Sequence, residues 1–261
     1  MPNTVYDNFF LSNTVEDQLN SHLDLQRFCV IDNTLEGNAG MTRIINAYRA
    51  TDGTEKLDVG EGNTKSIEVS YEPKEYVIEL AQNNFKWYDE HAMVDPMLVP
   101  VGMKHVATDM FNTIQADVYT EFASTGLIVN AATPNFDAFV DASAALNLEN
   151  VEDAEIFAFV SPADKAKVRK ALKDDLKYVE SYARQGYIGS VAGINIYDKA
   201  DATEGEIVVA IKGAVTIFNK KGVDTEQERD ANTRQNTAYS RKYYVVALTD
   251  ESKAVKIKLT A

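Results

Sequence analysis

Two strand-like runs between residues 40 and 81 constrain the fold of this chain more than any other feature. In the second run, KSIEVSYEPKEYVIELA, Ile67, Val69 and Tyr71 alternate with polar residues, which is the period of a β-strand with one buried face. The first run, MTRIINAYRAT, pairs naturally with it across a glycine-containing loop at residues 52–65. A two-stranded ribbon is marginally stable in water unless it lies on another surface. The sequence therefore predicts an extended β-hairpin that lies on a neighbouring subunit, as in an assembly protein.

Length and composition describe a folded protein without a membrane span or an internal disulfide. The 261 residues suffice for one large domain or two small ones with a substantial core. The longest apolar runs are too short to cross a bilayer, so no membrane contact is predicted. The start, MPNTVYDNFFLSNT, lacks the features of a secretory signal. Cys29 is the single cysteine, which favours synthesis in a reducing cytoplasm.

The charge is unevenly distributed along the chain. The net charge of −14 argues against tight, extensive contact with nucleic acid, which needs clustered lysine and arginine. Residues 1–150 hold 23 acids and 8 bases, whereas residues 151–261 hold 17 acids and 18 bases. Two interpretations fit equally: head-to-tail contact between unlike surfaces of identical subunits, or an acidic segment that keeps the protein soluble.

The first half of the chain predicts one long helix behind the hairpin. A short buried strand is expected at residues 27–31, and the segment NNFKWYDEHAMVDP is interpreted as an aromatic connector. A helix from residue 97 or 101 to residue 124 follows, because its apolar residues recur every three or four positions. These are Met103, Val106, Met110, Ile114, Val118 and Phe122.

The second half of the chain predicts a mixed unit and then closing strands. Thr133 with Pro134, and Ser161 with Pro162, are typical cap and first-turn pairs that begin two helices, the second extending to about residue 178. Strands are expected in EIFAFV, GINIYD and EIVVAIKGAVTIFNK, and in YYVVAL and AVKIKL near the end. The predicted class is α+β, in the order extended arm, long helix, mixed unit and closing strands.

Motifs for catalysis, cofactors or metals are absent from the sequence. The three histidines are far apart, and no HExxH pair, phosphate-binding glycine loop or nucleophile elbow occurs. The acidic stretch VDTEQERD and the lysine-rich stretch at residues 165–177 are interpreted as solvated faces. We therefore predict no catalytic residue, no cofactor and no metal site.

Several stretches in a fixed order carry a family resemblance. They are the glycine-spaced YIGSVAGINIYDKA, then EIVVAIKGAVTIF, then VDTEQERDANTRQNTAYSRKYYVVAL with Glu226, Glu228 and Arg229. Together with the hairpin and the long helix, they cover nearly the whole chain. In this order the chain resembles the major capsid proteins of tailed bacteriophages, which have the Hong Kong 97-type fold that encapsulin compartments share.

The resemblance implies a division of the chain. It assigns an N-terminal arm to residues 1–35, an extended β-hairpin loop to 36–82, a peripheral domain with a spine helix to 83–130 and 223–261, and an axial domain to 131–222. The inter-subunit contacts that it predicts lie in the extended loop and in the axial loop. They are Arg43, Tyr48, Arg49, Lys56, Lys65 and Tyr71 in the former, and Gly186 and Gly189 in the latter.

The function that the resemblance implies is structural. The chain would assemble into pentamers and hexamers of an icosahedral phage head around double-stranded DNA, without sequence-specific contacts. A scaffolding protein and a portal are the other expected partners, and the protein would be made in the host cytoplasm and reside in the virion. Some relatives form Lys–Asn crosslinks, and Lys56 and Lys65 lie in the hairpin loop, but no acceptor asparagine is identified. The alternatives are an encapsulin-like compartment and, more remotely, an α/β small-molecule enzyme whose catalytic residues follow no motif.

Overall fold

A computed structural model describes residues 24–37, 40–50, 53–146, 148, 155–173 and 189–260. Most of the predicted N-terminal arm and Gly186 lie outside these ranges. The described residues form α-helices α1 Asp89–Val94, α2 Leu98–Ala123, α3 Phe136–Ala145 and α4 Pro162–Ala171, with 3₁₀ helices Leu25–Phe28 and Glu251–Lys253. The strands are β1 Val30–Asp32, β2 Thr42–Ala50, β3 Val69–Val77, β4 Glu79–Tyr88, β5 Ile128–Ala131, β6 Ile156–Val160, β7 Ser190–Val191, β8 Ile194–Asp198, β9 Glu206–Ile211, β10 Val215–Asp230, β11 Gln235–Leu248 and β12 Ala254–Leu259.

The long helix α2 organises the core. Its 26 residues make a rod of about 39 Å. The predicted stripe is confirmed, because all of its apolar residues from Met103 to Phe122 are buried. The middle and end of this stripe pack in one cluster with residues of both large sheets, including Phe157, Val208 and Ile217. The helix therefore joins the two sheets through a shared core.

The first large sheet has the strand order β1-β10-β11-β4. Strands β10 and β11 are antiparallel, and β4 pairs with β11 from Glu79 opposite Tyr244 to Tyr88 opposite Gln235. The interpretation of residues 83–88 as an aromatic connector is therefore wrong, because they form part of a strand. Phe85 and Trp87 alternate inward and pack with residues of α2, which gives this polar-looking segment a buried face.

The second large sheet has the strand order β5-β12-β9-β6-β8-β7. One face packs on α3 and α4 through residues such as Ala158 and Val160, and the other packs toward α2 through Phe157 and Phe159. The terminal strand β12 pairs with β9 and β5 in this sheet. Residues 254–259 therefore lie beside the predicted axial strands, although the sequence grouped them with the peripheral segment. The domain boundaries remain predictions, and they do not coincide with the sheets at this strand.

The chain crosses between the two large sheets at two adjacent points. It passes from β9 to β10 through Gly213 and Ala214, and from β11 to β12 through Thr249 and Asp250. The Ala214 carbonyl accepts from the backbone N–H of Thr249 at 2.9 Å, from that of Asp250 at 3.1 Å and from the Thr249 hydroxyl at 3.1 Å. Because this carbonyl of the first crossing accepts from three donors of the second, the two crossings are held together by hydrogen bonds.

Local predictions near the helix starts had mixed outcomes. Ser161 caps α4 as predicted, but the cap of α3 is Asn135 rather than Thr133, because the Asn135 side chain accepts from the N–H of Ala138. The predicted buried strand at residues 27–31 is wrong. Its first part belongs to a 3₁₀ helix whose Phe28 ring packs 4.5 Å from that of Phe157, and β1 that follows is largely exposed.

Candidate assembly surface on the ribbon

Strands β2 and β3 form a two-stranded sheet of their own, which we call the ribbon (residues 42–77). They are antiparallel and in continuous register, from Thr42 opposite Val77 to Ala50 opposite Val69. The predicted hairpin is thus confirmed. Because neither large sheet adds a strand to it, the ribbon depends on side-chain contacts for support.

One set of ribbon side chains is apolar and exposed. Ile44 is 59% exposed, Val69 62%, Tyr71 65% and Val77 57%, and we call these residues the apolar row. The strand register places them on one face of the ribbon, because directly opposed residues of antiparallel strands share a face. The sequence predicted a buried apolar face, and in the single chain this face is exposed. An apolar surface of this kind is typical of an interaction site.

Polar contacts of Tyr76 and Lys74 attach the base of the ribbon to the rest of the chain. The Tyr76 hydroxyl donates to the carbonyl of Leu248 at 3.1 Å, and Lys74 Nζ lies 2.8 Å from the Glu251 carboxylate. The N–H of Ile78 donates to the carbonyl of Met41 at 2.7 Å. These contacts lie at the end of the ribbon that holds Ile44 and Val77, whereas Val69 and Tyr71 lie toward the other end.

Arg43, predicted as an inter-subunit residue, has contacts within its own chain. Its guanidinium lies 3.8 Å from the Asp32 carboxylate and 5.4 Å from the centre of the Phe218 ring. Hydrogen bonds from Thr34 and, to a smaller extent, the charge of Arg43 hold the pKa of Asp32 below its usual value. Arg43 therefore also fixes the base of the ribbon, and its role between subunits stays a prediction.

The remaining predicted ribbon residues lie farther from the base. In the backbone register, Tyr48 is opposite Tyr71 and Arg49 is opposite Ser70. Lys56 and Lys65 are exposed in the loop that joins the strands. The far part of that loop is held by the Glu55 carboxylate, which accepts from the backbone N–H of residue 64 at 2.8 Å and from its hydroxyl at 2.9 Å. The inter-subunit roles of these residues stay predictions.

Comparison with known proteins identifies this arrangement. No family model matches the chain. The major capsid protein of Staphylococcus phage phiMR11 is 27% identical over 257 residues, which cover 95% of this chain and 91% of that protein. The bacteriophage PhiM1 mature capsid structure has a TM-score of 0.66 at 14% identity, covering 92% of this chain and 88% of its own. The chain has the Hong Kong 97-type capsid fold.

This capsid fold is also found in a compartment protein. The SrpI encapsulin of Synechococcus elongatus PCC 7942 has a TM-score of 0.62 at 9% identity, covering 90% of this chain and 86% of its own. Identities this low show a common fold alone. The resemblance to tailed-phage major capsid proteins seen in the sequence is confirmed, since it rests on a relative aligned over almost the whole length of both proteins.

In the glycine-rich region of the capsid fold, Gly189 supports a hairpin. Its carbonyl accepts from the N–H of Ile196 at 3.0 Å, next to the β7–β8 pair. The turn between these strands consists of Ala192 and Gly193, both at positive φ. Gly189 therefore has a local structural role, and its position at a capsomer axis stays a prediction.

A second exposed apolar patch was missed by the sequence reasoning. It lies at the junction of α1 and α2, where Met93 is 72% exposed, Val94 87%, Met97 61% and Val101 46%. Helix α1 has no buried residue, although its partly buried Ala92 packs against the cluster around Trp87. The run MVDPM in a charged surrounding was the available signal. This patch is a further candidate contact surface of the capsid fold.

An ionic network places α1 on the first large sheet. The Asp89 carboxylate accepts from Arg229 Nη2 at 2.8 Å and from Asn236 Nδ2 at 2.6 Å. These hydrogen bonds, with the nearby positive charges, hold the pKa of Asp89 below its usual value. Arg229, which was singled out in the sequence as part of the ERD stretch, therefore positions the second apolar patch.

The described residues were also searched for a metal site and for a membrane span. Within them, no three His, Cys, Asp or Glu side chains are grouped in a way that could hold a metal ion. No helix in the described ranges is both long enough and apolar enough to cross a bilayer.

Proposed function

We propose that this chain is the major capsid protein of a phage and that it assembles with copies of itself into the pentamers and hexamers of an icosahedral head. The observation that carries the proposal is the ribbon, which forms a two-stranded sheet of its own and exposes the apolar row. The alignment with a phage major capsid protein over 95% of the chain supports the same function. The role is structural and not enzymatic.

In the proposed shell, the ribbon lies across an adjacent subunit and buries its apolar row there. Full burial of a side chain of this size stabilises a contact by about 1.5–3 kcal/mol. Each subunit both contributes a ribbon and receives one, so the gain is repeated at every contact in the shell. Contacts that are individually modest thereby add up to a stable particle.

The proposed contents and partners follow from the charge of the chain. A net charge of −14 does not favour a tight grip on phosphate, so double-stranded DNA would be enclosed without sequence-specific contacts. A scaffolding protein and a portal would complete the assembly pathway. The mature protein would reside in the virion after synthesis in the host cytoplasm.

An encapsulin-like compartment is the second candidate, because the fold of the SrpI encapsulin is similar. The two functions differ in what the particle encloses. A phage head contains nucleic acid, whereas an encapsulin contains protein cargo. The relative of known capsid function, aligned over nearly the full length, favours the phage head.

Size-exclusion chromatography and negative-stain electron microscopy of the purified protein test the proposal. We expect capsomers or closed shells that form as concentration rises. A protein that stays monomeric at every salt and protein concentration would contradict a shell function. Particles from the native source, assayed for nucleic acid and for protein cargo, then distinguish a phage head from a compartment.

A further inference from the structure

A crevice lined by carboxylates lies beneath the base of the ribbon. Its volume is about 290 Å³, and it is bounded by the ends of β3 and β4, by α2 and by β11. Four acidic side chains line it: Glu75 and Glu79 from the ribbon side, and Asp117 and Glu121 from α2. Four like charges around one small space repel each other when all are ionised.

The two carboxylates of α2 are fixed by the body of the protein. They lie one helical turn apart, and Asp117 accepts from the Tyr244 hydroxyl at 2.5 Å while Glu121 accepts from the N–H of Leu248 at 3.2 Å. Burial raises the pKa of Glu121, the Leu248 N–H opposes this shift, and the charge of Asp117 adds to it. Burial and the hydrogen bond to Asp117 likewise raise the pKa of Tyr244. Neither carboxylate can therefore move away from the crevice without losing a hydrogen bond.

The ribbon is attached to the same residue that holds Glu121. The Leu248 carbonyl accepts from the Tyr76 hydroxyl at 3.1 Å, while its N–H donates to Glu121. Burial raises the pKa of Tyr76, Lys74 opposes this, and the charge of Glu121 adds to it. Lys74 is directed to Glu251 at 2.8 Å. One of the contacts that attach the ribbon, from Tyr76 to Leu248, therefore lies directly beside Glu121 in the crevice.

The ribbon is joined to the rest of the chain at Gly40 and at Ile78. Its outgoing strand β3 ends at Val77, and the next residue, Ile78, is buried and donates its N–H to the carbonyl of Met41. Its incoming strand follows Gly40, whose φ of +106° is accessible to glycine and rarely to other residues. An added Cβ at Gly40 would meet no atom within 4 Å, so the chain has free space there.

We propose that the crevice is a proton-dependent seat for the ribbon: proton uptake by Glu121 holds the ribbon base against α2 and β11, and ionisation of Glu121 releases it. The titratable groups around the crevice and the ribbon base are Asp117 on α2, Lys74, Glu75 and Tyr76 on β3, Glu79 on β4, Lys242 and Tyr244 on β11, and Glu251 in the 3₁₀ helix. Four of these eight groups are carboxylates, as is Glu121 itself, so negative charge is concentrated around the closed crevice.

The direction of the pH effect follows from linkage. When the ribbon is seated, Glu121 binds its proton more tightly than it does when water fills the crevice. The seated state is therefore penalised at a pH above the raised pKa of Glu121, and the penalty disappears as the pH falls below the ordinary value of a glutamate. Mild acid therefore favours the seated state of the ribbon, and neutral or alkaline pH disfavours it.

Distance measurements between two spin labels test this proposal in the full chain. Val69→Cys on the exposed row and Asn112→Cys on the exposed face of α2 provide the attachment sites. The native Cys29 remains unlabelled, because it is buried and burial raises its pKa to about 12. Double electron–electron resonance would be recorded between about pH 5 and about pH 8, with labelled protein diluted into unlabelled protein.

We expect one narrow distance distribution in acid and a broader one with longer distances at the higher pH. Glu121→Gln keeps an oxygen that can accept from Leu248 but removes the charge, so its distribution should stay narrow at both pH values. Glu228→Gln, an exposed change on β10, should keep the wild-type response. Circular dichroism at both pH values verifies that each variant is folded.

Two results would overturn the proposal: a wild-type distribution that does not change with pH, or a response that Glu121→Gln leaves intact. Both outcomes concern one subunit. They are therefore distinguishable from failure of the proposed capsid function, which is measured by particle formation.

Discussion

Asp164 shows how one buried residue joins helix α4 to the second large sheet. Its side chain is fully buried and accepts from the Ser161 hydroxyl at 2.8 Å, from Lys167 Nζ at 2.9 Å and from the N–H of Gly205 at 2.8 Å. Burial alone would raise the pKa of Asp164, but these hydrogen bonds outweigh it and the pKa is lowered. The helix cap expected from the sequence is therefore also a tertiary contact.

We expect Asp164→Asn to lower the free energy of unfolding by about 1–3 kcal/mol, because an amide leaves at least one of the three donors unsatisfied. Urea denaturation at neutral pH measures this loss. The matched control is Glu204→Gln, since exposed Glu204 also pairs with Lys167 at 3.0 Å. Its effect should stay within about 0.5 kcal/mol, and an equal loss in both variants would contradict the buried role of Asp164.

The same residue gives a stability effect with a defined direction. Because the pKa of Asp164 is lowered in the folded protein, its contribution is present above the unfolded pKa and is lost as the pH falls through the folded one. The difference in unfolding free energy between wild type and Asp164→Asn should therefore shrink in acid. Urea denaturation over a series of pH values measures this trend, and a constant difference would contradict it.

At the level of elements, β4 and α2 are in close contact at a glycine. A Cβ added to Gly102 of α2 would overlap the Phe85 ring of β4. That ring is stacked on Trp87 with centres 5.2 Å apart, so it has little freedom to move. The absence of a side chain at Gly102 therefore sets how closely the helix approaches the sheet.

We expect Gly102→Ala to destabilise the protein by about 1–2 kcal/mol, because overpacking outweighs the gain in helix propensity. Gly126→Ala is the control, since an added Cβ there meets no atom within 4 Å and φ is not positive. Thermal unfolding compares the two variants. A Gly102→Ala protein as stable as wild type would show that the Phe85 ring can yield.

The ribbon is the element on which assembly is expected to depend. Deleting residues 52–65 should leave cooperative unfolding intact, because the loop lies outside the three buried clusters. The same deletion should reduce particle formation, measured by light scattering and electron microscopy. Loss of cooperative unfolding in this variant would contradict the assignment of the loop to an extended arm.

Substitutions in the apolar row test the contribution of the ribbon strands to assembly separately from that of the loop. Val69→Ser with Tyr71→Ser should weaken assembly severalfold without lowering monomer stability by more than about 0.5 kcal/mol, because both side chains are exposed in the single chain. Asn112→Ser on the exposed face of α2 serves as the control. Sedimentation velocity measures the assembled fraction, and unchanged assembly in the double variant would argue against the row as a contact surface.

The elements that the sequence predicted well are those with a local period. Helix α2 and the ribbon follow from the spacing of their own apolar residues, such as Met103 with Val106 and Val69 with Tyr71. Strand β4 could not be predicted in this way. Its polar central residues have no such period, and its buried face exists only against α2. Likewise, the partner of Arg43 is a residue of β1, which only the tertiary fold brings near.

At the scale of the whole molecule, net charge opposes association of identical chains. Each subunit carries a charge of −14, so copies repel over a distance set by the ionic strength. The proposed contacts are apolar and short-ranged. Repulsion and apolar attraction therefore respond to salt in opposite ways.

We expect assembly to strengthen as the salt concentration rises from about 0.01 M to about 0.15 M, over which the screening length shortens from about 30 Å to about 8 Å. Light scattering across this range measures the effect, with sucrose at equal osmolality as the control. Weaker assembly at the higher salt would instead favour attraction between the acidic first part and the near-neutral second part of neighbouring chains.

The paired crossings at Ala214 have a mechanical consequence. With three donors on one carbonyl and the long helix spanning both sheets, a twisting load on one sheet is passed to the other instead of being absorbed at the joint. The subunit then behaves as a rigid body in which the two large sheets keep a fixed angle to each other. Any difference in curvature between one position and another in the proposed shell must then be taken up at the edges of the subunit, where the ribbon is joined at Gly40 and Ile78.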